Sequence, residues 1–271
     1  MDVDGGSMKT VKIVTALDAE SLSWTAAEHL AALAAEAIAR RGRFTLVLAG
    51  GATPRLLYHT LATGRMVPAI DWSRVFVFWG DERCVPSDHD DSNYHMAREI
   101  LLDEVAIPNT HRFRIPAELP PAHAASTYEQ ELRLFFPPQS EKSPQAPLEW
   151  PRFDLVLLGL GDDGHTASLF PESSALHETE HWVLPVYVEK LAAWRITLTP
   201  PAINAAAQIF FLVNGAQKAA RVKDILAGPR LPDHFPAQLI TPVQGTLTWF
   251  LDAAAAGALT LEDEDVEYYT D

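Results

Sequence analysis

Phe153-Asp154-Leu155-Val156-Leu157-Leu158-Gly159-Leu160-Gly161-Asp162-Asp163-Gly164-His165-Thr166-Ala167-Ser168-Leu169-Phe170-Pro171 begins as a short apolar run and then breaks into three glycines carrying two carboxylates and a histidine. A run of that length bounded by turn residues reads as a fully buried strand. Such a strand delivers its polar loop to the carboxyl edge of a sheet, where open α/β folds hold their ligands. Taken alone, the loop supports two readings. It is an active-site loop, or it is a tight turn whose Asp side chains serve the local backbone.

Working outward, the same pattern recurs. Phe44 to Ala49 reads as a strand that empties into Gly50-Gly51-Ala52-Thr53-Pro54, followed by helical spacing at Leu56, Leu57, Thr60 and Leu61. Proline near the first helical turn costs nothing there. The free amides and the helix dipole at such a junction suit an anion. Val75 to Trp79 is a third apolar strand, running into Gly80-Asp81-Glu82-Arg83-Cys84. Ile209 to Val213 ends in Asn214-Gly215, with Lys218 in the opening turn of the next helix. A cation is poorly placed in a first turn, which hints at an anion nearby.

Other segments complete the pattern. Val11 to Ala16 is a first strand, followed by an Ala-rich helix to about Arg41 with Ser21 or Ser23 as its cap. A short strand is expected over His111 to Ile115 and a helix from about Ala122 to Phe136. Trp182 to Val188 is a strand, and Arg195, Thr197 and Thr199 then alternate with Ile196 and Leu198, placing a cation and hydroxyls on one face. Gln238 to Thr241 and Leu247 to Leu251 finish the sheet. Strands alternating with helices predict an α/β fold with a doubly wound, mostly parallel sheet and helices on both faces.

Composition narrows the class. With 271 residues, 48% of them hydrophobic, one large domain over 8–252 is expected, with a flexible leader at 1–7 and an acidic tail at 253–271. Pro137 to Pro151 holds five prolines and reads as an exposed insertion. The lone cysteine, Cys84, excludes a disulfide framework and suits a reducing, cytoplasmic setting. No apolar run reaches the length of a membrane span. The formal net charge of −15 disfavours nucleic acid and anionic membranes as partners. Seven acids from Asp252 onward, with no Lys or Arg among them, make part of that excess a solvated terminal feature.

Strand ends bearing Gly51/Thr53, Asp81/Arg83, Asp163/His165 and Asn214/Gly215 with Lys218 converge on one edge of such a sheet. Here the chain resembles 6-phosphogluconolactonases. Ala49-Gly50-Gly51-Ala52-Thr53-Pro54, Trp79-Gly80-Asp81-Glu82-Arg83 with Ser92-Asn93, Gly159-x-Gly161-x-Asp163-Gly164-His165-Thr166-Ala167-Ser168-Leu169-Phe170-Pro171, Arg195-x-Thr197 and Gly215-x-x-Lys218-Ala219 stand in that family's order. They span about Thr10 to Leu251. The resemblance implies a Rossmann-like fold and hydrolysis of 6-phosphoglucono-δ-lactone to 6-phosphogluconate, the second step of the oxidative pentose phosphate pathway, without metal or other cofactor.

By position it implies His165 as general base, Asp163 as its orienter, and Gly51, Thr53, Asp81, Arg83, Arg195 and Lys218 as the groups around phosphate and sugar hydroxyls. The partner implied is a phosphorylated sugar lactone, met by a monomer or weak homodimer. Glucosamine-6-phosphate deaminases share the fold and an Asp-Gly-His loop. Their pattern has an aromatic where Arg83 stands, and an Ile-Ala-Phe-Asn-Glu run where Thr166 to Phe170 stand. A sugar-phosphate sensor module is a further alternative, but such modules are usually joined to a DNA-binding segment, for which this chain has no basic stretch.

Overall fold

The structure is a computed structural model that describes residues 11–137, 149–260 and 266–268. The expected leader, most of the proline-rich insertion and much of the tail lie outside the described residues. In chain order the elements are β1 (Val11–Ala16), α1 (Ala19–Arg41), β2 (Phe44–Leu48), α2 (Ala52–Leu61), β3 (Val75–Trp79), β4 (Asp81–Arg83) and α3 (Asn93–Ala97). They continue with β5 (Arg112–Phe113), α4 (Pro121–Phe135), β6 (Leu155–Leu158), β7 (Val183–Val188), β8 (Ala193–Leu198), α5 (Pro200–Asn204) and β9 (Gln208–Val213). The last are α6 (Ala219–Leu226), β10 (Thr246–Asp252), α7 (Ala253–Ala256) and β11 (Val266–Tyr268).

Eight strands form one sheet in the order β11-β1-β10-β9-β6-β2-β3-β5, with every pairing parallel. β2, β6 and β9 are buried almost throughout, as their uninterrupted apolar sequences require of strands covered on both faces. From β2 the chain steps outward to β3, whereas from β6 it steps the other way to β9. The crevice between β2 and β6 is therefore the topological switch point, where open α/β sheets bind ligands.

Two buried tyrosines fix the strand ends that border this crevice. The Tyr58 hydroxyl of α2 accepts from Ala49 N at 2.9 Å and donates to Ala49 O at 2.8 Å. The Tyr128 hydroxyl of α4 does the same with Trp79 N and O, at 3.0 Å each. Each phenol satisfies the backbone donor and acceptor of a residue where the ladder stops and the functional loop begins. Burial pushes both phenols well above their ordinary pKa, so they stay neutral donors.

Several expectations require correction. The α1 cap is Asp18, whose Oδ1 accepts from Ser21 N at 2.8 Å. Ser21 Oγ in turn accepts from Asp18 N at 3.0 Å, and Ser23 is buried in the helix face. A carboxylate is the better partner for the positive helix end, and Ser21 falls at the third helical position of a capping box. The strand over His111 to Ile115 shrinks to Arg112–Phe113. Gln238 to Thr241 is not a strand. Pro236–Leu239 forms a 3₁₀ turn in which the buried Gln238 amide donates to the carbonyls of Asp224, Ile225 and Pro229 and accepts from Leu231 N at 2.6 Å.

β4, β7 and β8 leave the parallel sheet altogether. They make a separate antiparallel sheet in the order β4-β8-β7. Asp252, grouped by sequence with the solvated tail charges, is buried. Its carboxylate accepts from Gly215 N at 3.0 Å and from Ala255 N at 2.7 Å, tying the loop after β9 to the start of α7.

Candidate active site

A cleft of about 280 Å³ opens over the crevice between β2 and β6. Its walls are the loops after β2, β6 and β9 together with β4 and the start of α3. Gly51, Thr53, Asp81, Arg83, His165 and Lys218 line it, whereas Asp163 and Arg195 stand behind the lining.

The loop after β6 is built to present His165. Gly164 adopts φ 85°, a left-handed conformation that glycine takes without strain. Gly161 N donates to His165 O at 2.8 Å, and Thr166 Oγ1 donates to Gly159 O at 2.9 Å, folding the loop on itself. A Cβ on Gly161 would stand 2.0 Å from His165 Nδ1, so the ring occupies space that only glycine leaves open. The imidazole also stacks on Phe170 at 4.2 Å between centroids.

Asp163 Oδ1 lies 2.5 Å from His165 Nδ1 and also accepts from His165 N at 3.2 Å. Its Oδ2 forms an ion pair with Lys190. Burial raises the proton affinity of this carboxyl, but the hydrogen bonds from His165 and Lys190 outweigh it and hold Asp163 well below the usual carboxylate range. An ionised Asp163 can only accept, so Nδ1 carries a proton, and in the neutral ring the lone pair is then on Nε2.

The opposite wall is cationic. β4 and β8 pair so that Arg83 lies directly across from Arg195, placing both side chains on one face of the small sheet. Burial and the facing Arg83 guanidinium lower the pKa of Arg195. Like charges opposed in a ladder are unfavourable unless an anion joins them. Arg83 donates through Nη1 to Asp91 O at 2.7 Å. Lys218 reaches in from the turn before α6 and pairs with Asp162 of the histidine loop. Gly51, at φ 103°, caps α2 and leaves the amides at the start of that helix facing the cleft. The Thr53 hydroxyl donates to Asn214 Oδ1 at 2.5 Å, joining the loops after β2 and β9.

Sequence reasoning passed over several contributors. Glu82 is buried and accepts from Arg83 N, Ser92 Oγ, Asn93 N and Tyr94 N at 2.7–3.0 Å, which fixes the backbone of Arg83 and the N-terminus of α3 together. Burial raises its pKa, although these backbone donors pull the other way. Asn93 donates through Nδ2 to Asp81 O at 2.9 Å. It also fills the space where a Gly50 side chain would stand, 2.0 Å from its Oδ1. Ser168 Oγ donates to Asp81 Oδ2 at 2.6 Å, linking the histidine loop to β4. The polar residues Glu82, Ser92 and Asn93 inside one short stretch were the available signal. For Lys190 the sequence held none.

Together these features define an α/β protein with a His–Asp pair facing a cationic, glycine-walled cleft at the carboxyl edge of its sheet. The chain belongs to the family of glucosamine-6-phosphate isomerases and 6-phosphogluconolactonases, whose model matches residues 17–249. It is 45% identical over 221 residues to a 6-phosphogluconolactonase of Synechocystis sp., covering 81% of this chain and 86% of that protein. It is 42% identical over 226 residues to one of Nostoc sp., covering 83% and 88%. Among solved structures it superposes on a 6-phosphogluconolactonase from Trypanosoma cruzi with a TM-score of 0.82 and 29% identity, covering 94% of this chain and all of that one.

Proposed function

We infer that this chain hydrolyses 6-phosphoglucono-δ-lactone to 6-phosphogluconate. The observation that carries the reading is the Asp163–His165 pair at a cleft whose lining also holds Arg83 and Lys218, with Arg195 paired across the small sheet from Arg83. The substrate's dianionic phosphate finds charge-assisted donors in those three cations and in the amides of the Gly51–Thr53 turn. Its lactone carbonyl then lies toward the histidine loop.

His165 Nε2 takes a proton from water as the water oxygen bonds to the carbonyl carbon, and the carbonyl π pair moves onto oxygen. When the tetrahedral intermediate collapses, the ring C–O bond breaks. The imidazolium returns the proton to the departing alkoxide, which becomes the C5 hydroxyl. Asp163 keeps the ring in the required tautomer and stabilises the transient imidazolium, as an Asp does behind a catalytic His. A positioned base of this kind contributes about 10²–10⁴ in rate. No step as written draws on a metal or redox cofactor, and a monomer or weak homodimer working in the cytoplasm is the setting proposed with this reading.

The deaminase reading is weaker. The run after His165 offers Ser168, held by Asp81, and Phe170, stacked on the imidazole, with no carboxylate among them. A coupled assay with freshly generated 6-phosphogluconolactone, run beside glucosamine 6-phosphate with ammonia detection, tests the choice. Lactone turnover above the spontaneous rate is expected. Turnover of the amino sugar alone would overturn the assignment.

A further inference from the structure

Only one oxygen of Asp163 is used by His165. The other is held by the Lys190 ammonium, which arrives from a distant part of the chain. Lys190 sits in the Glu189–Leu191 turn between β7 and β8, a turn closed by Ala192 at φ 47°. Its Nζ also stands 4.8 Å from the centroid of the Phe170 ring, the ring that carries the His165 imidazole. Lys190 and His165 thus share two neighbours, Asp163 and Phe170, although Lys190 is not part of the cleft lining.

We propose that Lys190 is a positioning residue for the hydrolytic pair, holding Asp163 toward His165 from outside the cleft and offsetting part of the carboxylate's charge. The inference rests on the role given above to His165 as base. The physical reason is a balance of charge. An unshared carboxylate against Nδ1 favours the imidazolium, and an imidazolium cannot accept the water proton. A cation on the second carboxylate oxygen offsets part of that attraction while preserving the hydrogen bond that sets the tautomer. Lys190 is half exposed, so solvent screens the effect and keeps it small.

The other charges around His165 do not depend on Lys190. Asp162 of the same loop is paired with Lys218, and its carbonyl accepts from Arg221 Nε of α6 at 2.9 Å. Asp81 of β4 is held by Ser168 and Asn93, and Arg83 by the Asp91 carbonyl, with Arg195 of β8 across from it. A Lys190 substitution therefore changes one charge in an otherwise fixed array.

The test is an NMR titration of the imidazole protons in the parent, Lys190→Met and Lys190→Arg, with the His165 signal identified by its loss in His165→Gln. The His165 inflection is expected to rise in the Met variant and to return close to the parent in the Arg variant. The acid limb of kcat/KM for the lactone moves by the same amount. An unshifted His165 inflection in Lys190→Met overturns the proposal, as does an Arg variant shifted as far as the Met variant. The titration needs no turnover, so a protein that titrates as expected but fails to hydrolyse lactone would sink the functional reading and leave the Lys190 coupling standing.

Discussion

The parallel sheet and the small antiparallel sheet meet at one cleft but do different work. β2, β6 and β9 of the first are apolar runs, buried almost throughout, and carry chemistry only where they stop, at the loops that follow them. β4 and β8 of the second carry it along their length, since Asp81, Glu82 and Arg83 of β4 and Arg195 and Thr197 of β8 are themselves ladder residues. A strand covered on both faces has no room for charge. A short antiparallel ladder at the domain edge can point alternate side chains into a cleft. The division predicts that the loop after β6 controls turnover and the small sheet controls grip on the anion.

Five substitutions, the last read by acid denaturation, can break or sharpen that contrast. The largest effect is expected from His165→Ala, with kcat lowered about 10²- to 10⁴-fold while binding of 6-phosphogluconate, followed by calorimetry, persists. Gly161→Ala should lower kcat about 100-fold with a smaller change in KM, because its Cβ displaces the imidazole from beside Asp163. Arg83→Ala is expected to raise KM about 10- to 100-fold, the worth of a charge-assisted hydrogen bond to phosphate, with kcat changed only a few-fold. If steady-state kinetics instead showed Arg83→Ala depressing kcat at unchanged KM, the two sheets would not divide the work.

Glu82→Gln tests the small sheet's scaffold. One carboxylate oxygen becomes an amide nitrogen: at Oε2 the Ser92 hydroxyl can rotate to accept from it and the Tyr94 amide loses its acceptor, whereas at Oε1 the Arg83 and Asn93 amides both lose theirs. A loss of about 1–3 kcal/mol in urea unfolding is expected, with KM raised as Arg83 loosens. Unchanged stability would mean that the carboxylate is protonated in the folded state and one oxygen already idle.

The smallest effect concerns acid. The folded-state pKa of Asp163 lies below its unfolded value, so its stabilisation is complete above about pH 4 and disappears as pH falls through the folded value. Asp163→Asn should therefore lose less stability than the parent between about pH 5 and pH 2, by under about 1 kcal/mol given the exposure of the pair. Parallel acid-denaturation curves for the two proteins would contradict that origin for the shift.

Much of this was legible in the residues. Phe44–Leu48, Val75–Trp79, Leu155–Leu158 and Gln208–Val213 announce themselves because burial on both faces demands unbroken apolar sequence. The glycine loops that follow are equally plain. Gln238 to Thr241 misled because a short mixed run has no period long enough to separate strand from turn, and the choice fell to the hydrogen bonds of one buried amide. Asp252 misled because sequence adjacency to an acidic tail says nothing about a carboxylate that caps α7 and binds the Gly215 amide.

The sequence by itself determined the α/β class, the strand ends that carry Gly51, Asp81, Asp163, His165 and Lys218, and the family. Local patterns encode burial and turns, and those residues are fixed to their strands by a few bonds of chain. Only the tertiary structure decided that β4, β7 and β8 form a sheet of their own, that Arg83 faces Arg195, and that Lys190 reaches Asp163. Apart from the β7–β8 hairpin, each of these is a pairing between segments far apart in the chain. Such pairings are selected by packing of the whole domain and leave no period or spacing in the sequence to read.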